Sequence, residues 1–297
     1  MSAARGDGRL VWITGASGLI GRALSARLEE AGFRVQAIRR PAQGADFFAL
    51  QECEPPWGVI HLAGENIGQG RWTAARKKRF VHSRVAGTTY LCDHLVQLPT
   101  PPAVLLSSSA SGIYGDRGEE ELQESSSHGS GYLAELCRQW EASTASAEAA
   151  GMRVVHLRTG VVLDPGGGAL QKMLTPFRLG VGGPIGGGRQ WMSWLSLRDT
   201  IAAIDYLLTA ADVHGAVNLV GPNPVRQGDF ARALGAALKR PAFAPLPAWV
   251  VKLLFGEMGR DLVLAGAKIR PTALLDAGFQ FQDPDLAPFL DRMLGPT

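Results

Sequence analysis

The stretch Arg9-Leu10-Val11-Trp12-Ile13-Thr14-Gly15-Ala16-Ser17-Gly18-Leu19-Ile20-Gly21 decides the fold of this 297-residue chain. Its apolar part, residues 10–13, is typical of a buried strand, and residues 22–31 continue as a helix. Between them Gly15, Gly18 and Gly21 have the spacing G-x-x-G-x-x-G. This order predicts a tight turn, a close backbone approach to a pyrophosphate and close packing of helix on strand. The free N–H groups of the helix N-terminus favour phosphate, so the stretch predicts a dinucleotide-binding site.

The second predicted strand, residues 34–38, ends on Arg39 and Arg40. In a dinucleotide-binding unit the end of this strand faces the adenosine ribose, where an acidic residue favours NAD and an arginine accommodates the 2′-phosphate of NADP. No Asp or Glu lies between Glu30 and Asp46. The pair therefore predicts NADP(H) as the cofactor, with an ordinary exposed arginine pair as the alternative.

A third strand is predicted over residues 57–63, and it leads into Leu62-Ala63-Gly64. Such a strand end passes its backbone close to a cofactor at the carboxyl edge of a parallel sheet. Residues 73–97 predict one long helix from the spacing of their apolar side chains. Arg84 on this helix either turns back toward the cofactor or is an exposed helix arginine, and the sequence leaves both open.

A fourth strand is predicted to open at residues 103–106 and to end in a serine cluster that continues to Tyr114. Serine hydroxyls at that edge would hold a carbonyl or hydroxyl group of a substrate, although serine and glycine are also favoured in polar loops. A helix over residues 132–150 and a strand over residues 152–163 follow. Strands and helices alternate throughout, which predicts a parallel sheet covered on both faces.

The composition changes after residue 164, where six of the nine residues from 180 to 188 are glycine. The predicted class is α/β, a Rossmann-type doubly wound parallel sheet with a smaller, mainly helical C-terminal lid domain. Residues 8–165, completed by 190–221, are predicted to form the dinucleotide-binding domain. Residues 166–189 and 222–297 are predicted to form the substrate and lid domain.

The composition also narrows the class of protein. The net charge is only +3, and the one basic cluster, residues 76–79, is typical of a solvated helix face, so no nucleic-acid partner is expected. Three widely spaced cysteines predict reduced thiols in a cytoplasmic protein, with no disulfide framework and no metal site. No signal-peptide core or run of 18 apolar residues is present, so no membrane partner is expected. A small-molecule substrate is expected, and the chain is predicted to be a monomer or a homodimer.

Four motifs together resemble those of the extended and atypical short-chain dehydrogenase/reductases; they lie at residues 14–21, 61–64, 113–115 and 158–160. Within that superfamily the chain is similar to the epimerase-like YfcH-type group of NAD-dependent epimerase/dehydratase-like proteins. That closer likeness rests on residues 62–67, 71–73, 83–84, 114–118, 158–163, 188–194, 240–241, 255–257 and 278–279. It extends over essentially the whole chain, including the C-terminal segment typical of the group.

The resemblance implies NADP(H) binding and a small C-terminal domain that closes over a substrate cleft. Carried over by position, Ser17, Leu19 and Ile20 would line the pyrophosphate turn, and Arg39 and Arg40 would meet the 2′-phosphate. Other implied contacts are Leu62, Ala63, Gly64 and Arg84 with the cofactor, and Gln190 and Trp191 with the substrate. A purely structural role for Trp191 is an equal alternative, because tryptophans usually pack.

The superfamily's catalytic pair is Tyr-x-x-x-Lys on one helix, and this chain departs from it. Tyr132 fits the tyrosine, but Leu136 stands where the lysine belongs. A tyrosine with a pKa of ~10 is neutral at pH 7, so without a nearby cation it is no base. Two routes keep the chemistry: neutral Tyr132 donates a proton while Ser109 polarises a carbonyl, or Tyr114 is the donor. The serine loop is one residue longer than usual, so Ser111 competes with Ser109.

These features predict an NADP(H)-dependent oxidoreductase that acts on a small carbonyl or sugar-like substrate. Whether the chain turns over at all is left open by the missing lysine. Two alternatives follow from other classes: a nucleotide-sugar epimerase or dehydratase, by analogy of fold alone, and a non-catalytic NADP(H)-binding redox sensor whose lid exposes a partner surface on closing.

Overall fold

The computed structural model of this chain describes residues 6–41, 47–50 and 53–295. Its strands are β1 Leu10–Thr14, β2 Arg34–Ile38, β3 Gly58–His61, β4 Val104–Ala110, β5 Glu121–Leu122, β6 Arg153–Thr159, β7 Val161–Asp164, β8 Trp191–Met192, β9 Trp194–Ser196, β10 Gly215–Leu219, β11 Val225–Arg226 and β12 Lys268–Ile269. Its α-helices are α1 Leu19–Glu30, α2 Ala74–Val81, α3 Gly87–Val96, α4 Tyr132–Ala142, α5 Ala145–Ala149, α6 Gly168–Arg178, α7 Leu197–Thr209, α8 Gln227–Ala237, α9 Ala248–Phe255, α10 Thr272–Asp276 and α11 Leu286–Leu294. Further turns are π-helical at His82–Ala86 and Gly259–Leu264 and 3₁₀-helical at Ser111–Tyr114.

The central sheet has the strand order β2-β1-β3-β4-β6-β10, and its neighbouring strands are all parallel. The chain places β2 on one side of β1 and then crosses to place β3 on the other side. Where the winding direction reverses in this way, the connections leave in opposite directions and open a crevice at the carboxyl ends of the strands. The predicted Rossmann-type doubly wound sheet is confirmed, and its crevice lies between β1 and β3.

Strand β1 is buried on both faces, as the apolar run predicts. Val11 and Ile13 belong to a core cluster that includes side chains of α1 and α7. Leu10 and Trp12 point the other way, into a cluster that includes Leu91 and Leu95 of α3 and other side chains on that face. Because the residues of a strand alternate between its faces, each flanking layer covers its own half of the apolar side chains.

The long helix predicted over residues 73–97 is interrupted. Helix α2 ends at Val81, the turn His82–Ala86 is π-helical, and α3 resumes at Gly87. A π-helical turn contains one extra residue, and such turns are frequent at functional sites. The apolar side chains on its two sides keep a roughly helical spacing, so the pattern does not show the interruption. This turn carries Arg84.

Two strand predictions also change in the structure. The strand predicted over residues 152–163 divides at Gly160, where a Cβ would collide with the backbone oxygen of Ser193. Its first half, β6, stays in the main sheet, and its second half, β7, pairs with β9. The fourth strand, predicted to open at residues 103–106 and to end in the serine cluster, runs as β4 through Ala110, so Ser107, Ser108 and Ser109 belong to the strand and not to the polar loop of the alternative.

A second core lies beside the sheet and joins β7, β9, α6, α8 and α11. Trp194, Phe230 and Phe289 are all buried in it. Within the described residues the tail after residue 222 is mainly helical, and its two-residue strands β11 and β12 pair with β8 and β5. None of the described strands of this tail joins the main sheet, whereas the exact domain boundaries stay a prediction.

Three further properties concern the described ranges only. None of their helices combines the length and the apolar character needed to cross a bilayer. No group of three His, Cys, Asp or Glu side chains in them is arranged to hold a metal ion. Burial raises the pKa of the Cys92 and Cys137 thiols to about 12, so neither carries the thiolate that reactive cysteines need.

Candidate cofactor and substrate site

A cleft of about 240 Å³ opens at the carboxyl edge of the sheet, between the start of α1 and the segment from β7 to α6. The residues that line it are Gly15, Gly18, Leu19, Ile20, Gly21, Leu62, Ser108, Leu157, Thr159, Val162, Gly168 and Ile204. Six of them are predicted cofactor residues, from the glycine loop and the end of β3. The structure therefore brings the predicted loop and the end of the third strand together around one cleft, at the switch point of the sheet.

Each of the three positions in the loop is glycine for a different structural reason. Gly15 has a φ of +73°, and a Cβ there would lie 2.8 Å from the carbonyl carbon of Leu62. A Cβ on Gly21 would collide with the backbone oxygen of Gly15, so these two positions are required by the turn and by helix packing. A Cβ on Gly18 would meet only the Gly15 oxygen, at 3.3 Å. Gly18 is the N-cap of α1, so its open side suits the approach of a phosphate group.

The predicted adenosine side of the site lies one strand away from the glycine loop. Arg39 and Arg40 are exposed and follow β2 directly, at the same sheet edge. Ser17 is exposed in the glycine loop, where its backbone oxygen accepts a hydrogen bond of 2.7 Å from Arg22 Nη1. The two arginines therefore lie where a 2′-phosphate of a dinucleotide in the cleft would be expected.

A buried polar chain connects β1 with α4 beneath the cleft. Thr14 Oγ1 and His61 Nδ1 share a hydrogen bond of 2.7 Å, and His61 Nε2 and Thr88 Oγ1 share one of 3.0 Å. Trp140 Nε1 donates to Thr88 Oγ1 at 3.1 Å, and Ala63 N–H donates to Thr14 Oγ1 at 3.2 Å. Burial lowers the pKa of His61 to about 4, so its ring is neutral at pH 7. These hydrogen bonds fix the ends of β1 and β3 relative to α3 and α4.

Arg84 is buried and lies against the end of β3. Its Nη2 donates to the Glu65 backbone oxygen at 2.9 Å, and its guanidinium stacks on Trp140 with Cζ 5.0 Å from the ring centroid. A Cβ built on Gly64 would lie 3.4 Å from Arg84 Cζ. Of the two alternatives for Arg84, the structure favours the one that turns inward, because the exposed fraction of the residue is only 8%.

Tyr132 begins α4 and is half-buried between the sheet domain and the C-terminal segment. Its hydroxyl donates to the backbone oxygen of Lys77 at 3.3 Å, and the Lys77 ammonium lies 4.4 Å from its ring centroid. Burial raises the pKa of the phenol, and the positive charge of Arg84 lowers it in part. Tyr132 is therefore neutral at pH 7, which permits a proton donor and excludes a resident base.

Ser109 and Tyr114 lie in a different, buried network. Ser109 Oγ donates to Glu141 Oε1 at 2.6 Å, and the Tyr114 hydroxyl donates to Asn218 Oδ1 at 2.7 Å. Arg158 joins the two, since it pairs with Glu141 and donates to the Tyr114 hydroxyl at 2.9 Å. Burial opposes the charge on Glu141, but the Arg158 and Ser109 hydrogen bonds outweigh it and hold the pKa of this carboxyl below its usual value.

This placement argues against Tyr114 as the hydroxyl donor, because its side chain is fully buried in that network. It also turns Ser109 away from the cleft, and Ser108 lines the cleft instead. Adjacent residues of a strand face opposite sides, so the continuation of β4 through the serines separates Ser108 from Ser109. Thr159 and Val162 also line the cleft, and both lie in the motif segment 158–163, which is the sequence signal that could have found them.

The predicted substrate residues Gln190 and Trp191 lie farther along, in the C-terminal part. Gln190 Nε2 donates to the backbone oxygens of Ile185 and Val263 at 3.1 and 3.0 Å. The Trp191 ring is covered by Arg226, whose Cζ lies 3.8 Å from its centroid. A larger cavity of about 530 Å³, lined partly by Arg226, lies next to Trp191 and shares no lining residue with the glycine-loop cleft. Both residues therefore have structural partners within the protein. Their contact with a substrate stays a prediction.

Comparison with known proteins agrees with this geometry. A family model described as "NAD dependent epimerase/dehydratase family" matches residues 11–221, and one described as "Domain of unknown function (DUF1731)" matches residues 246–293. Epimerase family protein Mb2239 of Mycobacterium bovis is 39% identical over 285 residues, which are 92% of this chain and 93% of that protein. The crystal structure of human epimerase family protein SDR39U1 (isoform 2) with NADPH has a TM-score of 0.88 at 34% identity and covers 96% of this chain and 99% of that one. A nucleoside-diphosphate sugar epimerase from Corynebacterium glutamicum has a TM-score of 0.80 at 32% identity, over 97% of this chain and 58% of that one.

Proposed function

The chain belongs to the NAD dependent epimerase/dehydratase family, and we propose that it is an NADP(H)-dependent oxidoreductase acting on a small carbonyl or sugar-like substrate. The observation that carries the proposal is the cleft at the switch point, where the glycine loop and the end of β3 meet. The NADPH in the structure of human SDR39U1 supports the choice of cofactor. The arginine pair after β2 supports it independently from the sequence.

The residues of the cleft fit a dinucleotide. The start of α1 offers N–H groups and an open Gly18, and Ser17, Leu19 and Ile20 surround the same turn. Arg39 and Arg40 would bind the 2′-phosphate, whereas Leu62, Ala63, Gly64 and Arg84 would contact the half that extends past β3. When bound, the cofactor supplies a hydride. The protein's own part is to orient the two reactants, to exclude water and to deliver a proton.

The proton donor in this proposal is Tyr132. Reduction of a carbonyl adds a hydride to carbon and a proton to oxygen, so the site needs a neutral hydroxyl close to the developing alkoxide. Tyr132 is neutral and half-buried, and among the described residues its hydroxyl makes one hydrogen bond, of 3.3 Å. Ser108 lines the cleft and is therefore the candidate to orient the carbonyl group of the substrate.

A panel of small aldehydes, ketones and keto-sugars, followed by the loss of NADPH absorbance, tests the reaction. Stoichiometric NADPH consumption with any of them supports the oxidoreductase. The epimerase alternative, which the Corynebacterium glutamicum neighbour favours, predicts no net consumption because the hydride returns to the same molecule; product analysis with nucleotide sugars would detect it. No product from either set, with NADPH still bound, would leave the redox sensor as the better account.

Substitution of Arg39 and Arg40 by serine is expected to weaken NADPH binding about tenfold to hundredfold and to leave NADH binding unchanged. Each lost charge-assisted hydrogen bond to phosphate contributes about 1.5–3 kcal/mol when fully made, and exposure reduces it. Nicotinamide fluorescence titration measures both affinities. The matched control replaces Lys78 and Arg79 by serine, which removes the same charge from an exposed face of α2. An equal loss in the control would mean that net charge alone attracts the cofactor.

Replacement of Gly18 by alanine is expected to weaken NADPH binding about tenfold while the protein stays folded. Its Cβ has one close contact in the protein, at 3.3 Å, but would stand where the phosphates approach, and overpacking of this kind costs about 1–3 kcal/mol. The comparison variant, Gly21→Ala, should instead lower the melting temperature, since its Cβ collides with the Gly15 oxygen. Wild-type affinity in Gly18→Ala would place the phosphates elsewhere.

A further inference from the structure

The position that holds the lysine in Tyr-x-x-x-Lys cannot hold one in this chain. Leu136 is 3% exposed and belongs to an apolar cluster with Trp72, Phe80, Leu133 and Met258. Met258 comes from the C-terminal segment, so this contact exists only in the assembled fold. An ammonium group among these side chains would lose its hydration without a partner, which is costly. Any cation for this site must reach it from another element.

Arg84 reaches the same face of α4 from the π-helical turn. Positions 132, 136 and 140 succeed each other on one face of a helix, and the Arg84 guanidinium lies on the ring of Trp140 at its end. The turn is held on both sides: Ser83 Oγ accepts from Glu65 N–H at 3.2 Å, and Thr88 belongs to the buried polar chain through His61. The guanidinium is therefore fixed in place.

One nitrogen of this guanidinium is left without a partner. Nη2 donates to the Glu65 oxygen, but Nη1 is buried and has no hydrogen-bond acceptor among the described residues. The residue as a whole is 8% exposed. A buried donor of a charged group without an acceptor is costly and rare in native proteins. It indicates that a bound molecule supplies an acceptor oxygen.

The sheet order indicates which part of the cofactor this is. From the arginine pair after β2, the proposed dinucleotide passes the glycine loop after β1 and then reaches the end of β3, with neighbouring strands about 4.8 Å apart. The Arg84 guanidinium lies just past that end, since its Cζ would be 3.4 Å from a Cβ placed on Gly64. Arg84 thus lies on the far side of the pyrophosphate from the adenosine.

We propose that Arg84 Nη1 donates a hydrogen bond to an oxygen on the nicotinamide half of NADP(H), and that the guanidinium so places a fixed positive charge against the face of α4 on which Leu136 replaces the lysine. This role rests on the proposed function. The Arg84 charge also lowers the pKa of the Tyr132 phenol, whereas burial and the Glu257 carboxylate raise it. The Lys77 ammonium, which pairs with Glu257, lies 4.4 Å from the centre of the same ring. Arg84 therefore connects cofactor binding with the proton donor, although the two side chains lie on different elements.

The test compares two ligands on the purified protein: NADPH and 2′-phospho-ADP-ribose, which lacks the nicotinamide. Arg84→Gln is expected to bind NADPH about tenfold more weakly and 2′-phospho-ADP-ribose as tightly as the wild type. Arg84→Lys keeps the charge and should recover part of the loss. Arg79→Gln, an exposed arginine near the end of the adjacent helix α2, serves as the control and should bind both ligands normally. Ultraviolet difference titration against Tyr132→Phe should show a higher phenol pKa in Arg84→Gln.

Three outcomes would overturn the assignment. Unchanged NADPH affinity in Arg84→Gln would show that Nη1 meets no cofactor oxygen. Equal losses of affinity for both ligands would show that Arg84 contacts the pyrophosphate or has only a structural role. If Arg84→Gln does not fold, the folded Arg84→Lys variant is used instead. Equal losses of affinity for both ligands in that variant would contradict the proposal, and a loss of affinity for NADPH alone would support it. Failure of the wild type to bind NADPH would refute the proposed function itself and is distinguishable from all three.

Discussion

Tyr132→Phe is expected to lower the turnover of NADPH with a carbonyl substrate by about 10²–10⁴-fold, the usual contribution of a positioned proton donor. The affinity for NADPH should stay unchanged, because the variant loses one hydroxyl and no charge. Its fold should also persist. The ring keeps its contacts with Trp72 and with the Lys77 ammonium, and the lost hydrogen bond to the Lys77 backbone is 3.3 Å long.

Single-turnover absorbance with the substrate found in the carbonyl panel measures this effect. Tyr206→Phe is the matched control, since its hydroxyl donates to the Ala277 backbone oxygen and neither residue lines the cleft. The control should react at the wild-type rate. Wild-type turnover in Tyr132→Phe would remove this residue as the donor. If Tyr114→Phe then also turned over normally, both tyrosine candidates would be lost.

Arg158→Met is expected to lower the free energy of unfolding by about 3–5 kcal/mol, the typical cost of breaking a buried ion pair on one side. Two nitrogens of Arg158 each donate to Glu141 at 2.9 Å, and Nη1 also donates to Tyr114 and to the Glu124 backbone oxygen. The variant leaves the Glu141 carboxylate buried without its cation. It also loosens the network that joins β4, β6 and β10 to α4 beneath the site.

Urea denaturation measures this loss as a lower transition midpoint with an unchanged slope. Arg138→Met is the control on α4, where an exposed arginine pairs with an exposed Glu135. Exposed pairs contribute little, so the midpoint of the control should move only slightly. Equal midpoints for Arg158→Met and the control would show that the buried network contributes no more than a surface pair.

The sequence was sufficient for the parts of the site that depend on local geometry. The glycine loop is one: Gly15 needs a positive φ, and Gly21 needs contact with the preceding turn, so their spacing specifies the strand, turn and helix together. The burial of β1 on both of its faces could also be predicted, since a short continuous apolar run indicates a strand within a parallel sheet. The residues of the loop and of the β3 end accordingly meet in one cleft.

The features of the site that could not be predicted from the sequence depend on contacts between distant residues. Leu136 lies in one apolar cluster with Met258, more than 100 residues later in the chain, so an ammonium group at position 136 would be buried among apolar side chains. The direction of Arg84 depends on a π-helical turn that leaves no mark in the apolar spacing. Ser109, with Ser111 as its competitor, is predicted from the resemblance, whereas the alternation of faces along β4 places Ser108 in the cleft. Each of these features depends on which way a side chain points.

Titration of the wild-type protein with NADPH and with NADH, followed by nicotinamide fluorescence, tests the central claim most directly. We expect saturable binding of NADPH at least about tenfold tighter than that of NADH, because the arginine pair after β2 would bind a phosphate that NADH lacks. Equal affinity for the two would contradict the choice of cofactor. Binding of neither would contradict the oxidoreductase proposal as a whole.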